Sequence, residues 1–267
     1  MSGGAGGGAG RGEAGRAAGA LGAVAGAAGF ARSLALYYGQ PWKGRALGRL
    51  YGDLLKPGMR AFDIGAHVGH RTRILAGLGL DVVAVEPQAR FESFLRRHLH
   101  GGRITVVRAA VGARPGEADL AVSSRHPTVS TLSESWRETV SGDASFAGVT
   151  WDRRERVAVT TLDALAAAHG RPDFCKIDVE GMEAEILKGL SFAVPLVSVE
   201  FLPQAPEVAR ACLDELARLG DYSFNAVRGE THRLVSPTWV PAREAKDFLA
   251  RLCEGPREGD LYARLAG

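Results

Sequence analysis

Two hydrophobic periods alternate along the chain. Short apolar runs rich in Val, Ile and Phe, namely RAFDI (60–64), DVVAVE (81–86), ITVVRAA (104–110), DFCKIDV (173–179) and PLVSVEF (195–201), predict strands. Between them, HRTRILAGLG (70–79), ARFESFLRRHL (89–99), TLDALAAAHG (161–170) and MEAEILKGL (182–190) carry apolar residues three and four apart and predict helices. EVARACLDELARLG (207–220) follows the last of these strands, with Ala209, Cys212, Leu213, Leu216 and Leu219 on one stripe. Such alternation predicts parallel β-α units and an α/β fold, an open and mostly parallel sheet with helices on both faces. The continuous apolar runs suit strands buried on both sides. Tyr222 to Val235 reads as two further strands, an antiparallel edge hairpin, and the closing ARLAG gives no clear signal.

The flanks differ in texture. Leu34, Tyr37, Tyr38, Leu47, Leu50 and Leu54 recur at mostly helical spacing, predicting an N-terminal helical segment over 30–58 that Pro57-Gly58 stops. Before it, residues 1–29 hold 12 Gly and 10 Ala. So little side chain buries too little apolar surface to offset ordering, and disorder is expected there. Arg11 and Arg16 ahead of AAGALGAVAGAAGFA faintly resemble a secretory leader, but Leu21, Val24 and Phe30 are its only large apolar residues. A dispensable extension is the preferred reading. Within the α/β domain, 59–267, the stretch 113–159 breaks the alternation. It is rich in Ser, Thr and Arg and is expected to form an ordered, substrate-covering excursion over the mouth of the sheet.

Composition removes several classes of function. Lys plus Arg is 33 against 30 for Asp plus Glu, a net charge of +3 that is evenly spread, so a nucleic-acid partner is not expected. Three scattered cysteines form neither a disulfide framework nor a structural zinc site. The longest run without polar side chains, Ala17–Ala31, is too short to cross a membrane. A cytoplasmic protein with a small-molecule partner and no membrane contact is the expectation.

In an open parallel sheet, ligands bind beyond the carboxyl ends of the strands. After the first strand comes Asp63-Ile64-Gly65-Ala66-His67-Val68-Gly69-His70, whose glycines allow a tight turn and close approach to a ligand. Glu86 ends the second strand, 21 positions beyond Gly65, and is placed to accept hydrogen bonds from ribose hydroxyls. A dinucleotide site would carry a glycine where His67 stands. Asp63 would repel a phosphate and favour a sulfonium, pointing to S-adenosyl-L-methionine rather than NAD. Its alternative role is to cap or brace the turn.

Together FDIGAHVGH, VVAVEPQ, TTLDAL, PDFCKIDVEGMEAEILKGL and VSVEF resemble the FkbM family of S-adenosylmethionine-dependent methyltransferases, from about Ala61 to about Phe201. The resemblance implies a class I methyltransferase (Rossmann-like) sheet of seven strands with an antiparallel C-terminal hairpin, and O-methylation of a small metabolite such as a sugar or polyketide. It implies that Asp63, Gly65 and Gly69 line the cofactor, with Ala66 and His67 in the same turn, and that Glu86 holds the ribose.

The remaining chemistry gathers at Lys176-Ile177-Asp178-Val179-Glu180-Gly181. Alternation places Lys176, Asp178 and Glu180 on one side of an extended chain, and a buried strand has little reason to end in charge. A hydroxyl acceptor must lose a proton to a base. Asp178 or Glu180 is the candidate, with Lys176 favouring the charged form, and His70 and His126 are alternatives. Glu200 is a third carboxylate at the same rim, either a substrate contact or a partner for an arginine. His67 and His70, with Asp63 and Asp178, are not read as a metal site. Trp136, Trp151 and Trp239 are read as packing in preference to an acceptor wall. A nicotinamide-dependent oxidoreductase and a non-catalytic nucleoside-binding module remain open.

Overall fold

A computed structural model describes residues 9–99 and 101–266, with side chains from Val24 onward. Helices α1 (Ala9–Tyr38) and α2 (Pro41–Leu54) precede strand β1 (Arg60–Ile64). Then follow α3 (His70–Gly77), β2 (Asp81–Val85), α4 (Ala89–His98) and β3 (Ile104–Val107). After β4 (Ala110–Val111), the excursion holds β5 (Gly116–Val122) and α5 (Glu134–Ser141) and runs into β6 (Arg153–Thr160). Alternation resumes with α6 (Leu162–His169), β7 (Phe174–Ile177), α7 (Glu183–Lys188), β8 (Leu196–Phe201), α8 (Pro206–Leu219) and β9 (Tyr222–Arg228). The chain closes through β10 (Val240–Pro241), α9 (Ala245–Cys253) and β11 (Gly259–Leu265).

The main sheet has eight strands in the order β10-β9-β11-β8-β7-β1-β2-β3. Pairings from β3 to β8 are all parallel, whereas β11 runs antiparallel between β8 and β9. This is the mostly parallel α/β sheet with antiparallel C-terminal strands that the sequence predicts, with eight strands where the resemblance implies seven, the two-residue β10 being the outermost. The hairpin partner is different. Leu234 makes only an isolated bridge to Val227, and the long partner of β9 is β11. The last strand escapes prediction because GDLYARL is mostly buried yet carries Asp260 at its second position, whose charge has partners elsewhere in the fold.

Alternation along the strands divides the core. Phe62, Ile64, Val83, Val85, Val197 and Val199 join α6–α9 on one face. Ala61 and Val82 turn to the other face with Leu47, Leu50, Tyr51 and Leu75 of α2 and α3. A buried polar row crosses this second face. The register aligns Asp63 with Lys176, Lys176 with Ser198, Ser198 with Tyr262 and Tyr262 with Asn225. One step towards the strand ends, Glu200 aligns with Asp260.

The expected disorder of residues 1–29 needs correction. Residues 1–8 lie outside the described residues, and from Ala9 the chain is one helix to Tyr38. Alanine favours the helix. The later part of α1 docks through its small residues: a Cβ on Gly29 would lie 2.3 Å from the Ser124 carbonyl oxygen. Phe30 then packs 5.5 Å from Phe91 and 5.2 Å from Phe94, between ring centroids. Among the described residues, no helix is long and apolar enough to cross a membrane.

Candidate active site

The end of β1 forms a turn that backbone and side chains brace together. Asp63 is buried and accepts a hydrogen bond from Thr72 Oγ1 at 2.5 Å, tying the strand to α3. Burial pushes its carboxyl up, against the pull of that hydrogen bond. Asp63 therefore plays the bracing role, while also bordering a narrow cavity with Gly65 and Asp178. Gly65 has φ +83°, and a Cβ there would stand 2.0 Å from the Asp178 carbonyl oxygen, so only glycine lets β1 and β7 approach this closely. His67 holds φ +49°. Its backbone N–H donates to Glu86 Oε2 at 2.9 Å and its imidazole lies 4.2 Å from the Phe91 ring. Both ring nitrogens are buried without a hydrogen bond, and burial lowers the ring to about 4, keeping it neutral. Gly69 then starts α3 at φ +72°.

Glu86 meets this turn from the end of β2. It is 3% exposed and also accepts from the Gln88 N–H at 2.9 Å. Burial pushes its carboxyl up to about 7, opposed by the two backbone donors. Gly65 and Glu86 thus lie on one rim, and both border an open cleft of about 580 Å³ that also reaches Asp178, Glu180 and Met182.

The end of β7 carries the charge. Lys176 is fully buried, with Nζ 3.0 Å from Asp178 Oδ2 and 3.1 Å from Asp260 Oδ1. Arg71 adds a second cation, 3.1 Å from Asp260 Oδ2. Burial alone would lower the Lys176 ammonium, but Asp178 and Asp260 outweigh it and hold it above the usual lysine range. Burial would likewise raise Asp260, yet Arg71 and Lys176 hold it at about 2. The strand ends at Ile177 and the chain turns, with Glu180 at φ +59°, so the extended alternation expected through Glu180 stops at Asp178. The turn nevertheless brings one oxygen each of Asp178, Glu180 and Glu200 within 4.8 Å of one another. Burial, then the Asp178 charge, pushes Glu180 and Glu200 well above the usual carboxylate range. Of the described residues, these three have the spacing to hold a cation.

A larger cavity of about 760 Å³ opens on the other side of Asp178. Glu200 and Asp260 border it from the sheet, His70 and Arg71 from the start of α3, Tyr37 and Lys43 from the N-terminal helices, and Gly229, Glu230 and His232 from the segment after β9. Asp178 borders both spaces and the narrow cavity between them.

Several predicted residues therefore converge: Gly65, His67, Glu86, Asp178 and Glu180 share the first cleft, with Lys176 buried beneath Asp178. His126 does not join them. Its neighbours Pro127 and Thr128 line the cleft, while burial and then the Arg32 and Arg125 charges lower the His126 ring. His126 is absent from the residues that border either space. The excursion supplies Leu120, Pro127, Ser130 and Leu132 to the first cleft and no residue to the second cavity. Trp136 packs edge-on against Phe146 and Trp151, and Arg264 covers Trp239.

Sequence reasoning missed three contributors, Arg71, Asp260 and Tyr37, and left Glu183 without its loop-shaping role. Arg71 and Asp260 meet only through the unpredicted β11. Tyr37 arrives from a helix read as packing. Glu183 accepts from the Val179 and Gly181 N–H groups at 3.0 Å each and so shapes the loop that carries Glu180. Its signal was legible: a glutamate two residues after a glycine at a helix start is placed to accept free N–H groups.

A family model described as "Methyltransferase FkbM domain" matches residues 63–229, more than half of the chain. No curated protein matches the sequence. Among solved structures, a precorrin-6y C5,15-methyltransferase from Geobacter metallireducens is similar at 14% identity and TM-score 0.42, covering 85% of this chain and 89% of its own. A TehB-like SAM-dependent methyltransferase from Corynebacterium glutamicum is similar at 11% identity and TM-score 0.44, over 88% of this chain and all of its own. A methyltransferase from Pyrococcus furiosus is similar at 12% identity and TM-score 0.38, over 81% and 80%. Scores this low transfer no chemistry.

Proposed function

Since the chain belongs to the FkbM methyltransferase family, we propose that it moves a methyl group from S-adenosyl-L-methionine to a hydroxyl of a small, soluble metabolite. The observation that carries this reading is the placement of Asp178 between two spaces. One is bordered by the Gly65 turn and Glu86, and the other is open to an acceptor.

The residues fit the cofactor. Glu86 offers a carboxylate in the first cleft for ribose hydroxyls, and Gly65 and His67 of the turn border the same cleft, whereas Gly69 turns towards Leu95 and Leu99. The leading alternative, a dinucleotide, would need close backbone approach at His67, which has a side chain and already gives its N–H to Glu86. When bound, S-adenosyl-L-methionine supplies an electrophilic methyl on a sulfonium.

The protein's own part is alignment and proton removal. Holding acceptor oxygen, methyl carbon and sulfur in line contributes as much as ~7–11 kcal/mol in favourable systems. Asp178 faces the acceptor space and accepts the hydroxyl proton, with Lys176 fixing its orientation from beneath. Base catalysis of this kind is worth roughly 10²–10⁴-fold.

Calorimetric titration with S-adenosyl-L-methionine, S-adenosylhomocysteine and NAD side by side tests the reading. We expect the first two to bind and Glu86→Ala to weaken them by ~10–100-fold, the loss of about 1–3 kcal/mol. NAD binding alone would reject methyl transfer in favour of hydride chemistry. Asp178→Asn is expected to cut turnover far more than cofactor affinity, and normal turnover would make Asp178 structural.

A further inference from the structure

Helices α1 and α2 lie outside the matched family domain, yet they build one wall of the cavity assigned above to the acceptor. Their position is fixed at three places. The Tyr38 hydroxyl donates to the Val68 carbonyl at 2.8 Å, pinning the end of α1 to the cofactor turn. The Tyr37 ring lies 5.7 Å from His67 and 5.8 Å from His70. Lys43 of α2 forms an ion pair with Glu230 on the far side of the cavity.

Tyr37 is the residue left over. It borders the acceptor cavity and the narrow cavity that Asp63, Gly65 and Asp178 share. Among the described residues, its hydroxyl makes no hydrogen bond to protein. Tyr37 is half-buried and borders open space, so its O–H is free to donate to an occupant of the cavity. Burial, then the Asp178 charge, raises the phenol, so it remains a donor at neutral pH.

The surrounding charges narrow the partner. Of the cations bordering the cavity, Lys43 is taken by Glu230 and Arg71 by Asp260, and the buried Lys176 is shared by Asp178 and Asp260. Burial keeps His70 and His232 neutral. Glu200 makes no ion pair among the described residues, and Glu258 adds another carboxylate. No free positive charge among the described lining residues is available for a phosphate or carboxylate, and an anionic acceptor would meet carboxylates.

We propose that Tyr37 is an acceptor-binding residue, donating its hydroxyl hydrogen to a second oxygen of an uncharged, polyhydroxylated acceptor whose reacting hydroxyl faces Asp178. Through Tyr37, the helices outside the family domain select the acceptor. The inference rests on the methyl-transfer reading, because it needs the cofactor in the first cleft.

The test uses the full chain. S-adenosylhomocysteine is titrated first, and failure of the wild type to bind it would overturn the parent reading and this one with it. Thermal unfolding of the S-adenosylhomocysteine-loaded protein is then followed with 100 mM methyl α-D-glucopyranoside, and separately with 100 mM D-glucose 6-phosphate as the anionic counterpart. We expect the glucoside to raise Tm by about 2–4 °C and the phosphate ester to leave it unchanged. Tyr37→Phe keeps the ring against His67 and His70, so a packing role would survive it. We expect this variant to bind the glucoside at least tenfold more weakly and S-adenosylhomocysteine within twofold of wild type. No shift with the glucoside, an equal or larger shift with the phosphate ester, or an unaffected Tyr37→Phe would each overturn the proposal while leaving the cofactor assignment standing.

Discussion

Gly65→Ala and Gly58→Ala form a matched pair that isolates the close approach of β1 to β7. Both glycines hold a left-handed backbone, φ +83° and +86°. Nothing lies within 4 Å of the Cβ that Gly58 would gain, whereas that of Gly65 would lie 2.0 Å from the Asp178 carbonyl oxygen. Gly58→Ala therefore carries the backbone cost alone, ~1–2 kcal/mol. Gly65→Ala adds a collision. Real Cβ contacts stay beyond 3.0 Å, so the two strand ends must part by about 1 Å. They are joined there by the hydrogen bond from Asp178 N–H to the Ile64 carbonyl at 3.1 Å. Losing it leaves a donor and an acceptor short, a further ~1–3 kcal/mol. Equilibrium urea unfolding should thus show Gly65→Ala less stable than wild type by ~2–5 kcal/mol, against ~1–2 for Gly58→Ala. Because Asp178 moves with its carbonyl, turnover should also fall by about 100-fold. A Gly65→Ala protein as stable as Gly58→Ala, and binding S-adenosylhomocysteine like wild type, would refute the argument.

Three further outcomes follow from the charges. Glu86 titrates at about 7 in the folded protein, and ribose hydroxyls favour its ionised form. Cofactor binding at pH 7 should then release up to about half a proton, and affinity should rise from pH 6 to 8. Calorimetry in two buffers of different ionisation enthalpy reads this directly, and a buffer-independent enthalpy would remove Glu86 from the ligand. Glu180 and Glu200 are raised on folding, so the folded state binds more protons than the unfolded one and stability falls as pH rises above about 4.5. Glu200→Gln should accordingly raise Tm at pH 8 and change it little at pH 4.5; a lowered Tm at pH 8 would mean that Glu200 has a stabilising partner. Lys176→Met leaves Asp178 without its cation and Asp260 with Arg71 alone, and should cost ~3–5 kcal/mol in denaturant unfolding. A neutral result would show that the buried cluster sheds its charge instead.

The sequence by itself carried the local terms of this fold. Phe62, Ile64, Val83, Val85 and their counterparts Cys175, Ile177, Val197 and Val199 in β7 and β8 are apolar because helices cover that sheet face, and such a pattern is legible wherever it occurs. The Gly65 turn and Glu86 were legible for a related reason, since a backbone that must turn left-handed and a carboxylate at a buried strand end are locally costly features. Tertiary structure decided what depends on distant partners. Asp260 makes β11 look unlike a buried strand until Arg71 and Lys176, respectively 189 and 84 positions earlier, stand beside it. A run of glycine and alanine looks unable to order until Gly29 meets the Ser124 carbonyl and Phe30 meets α4. His126 looked close to the chemistry in a Ser- and Thr-rich stretch, but side-chain direction depends on the turn around it, and here Pro127 and Thr128 face the cleft. Tyr37 shows the same limit: apolar spacing says which side of a helix is buried, not which cavity it closes. Pairwise energies between residues far apart in the chain leave no periodic trace, and that is where prediction from pattern ended.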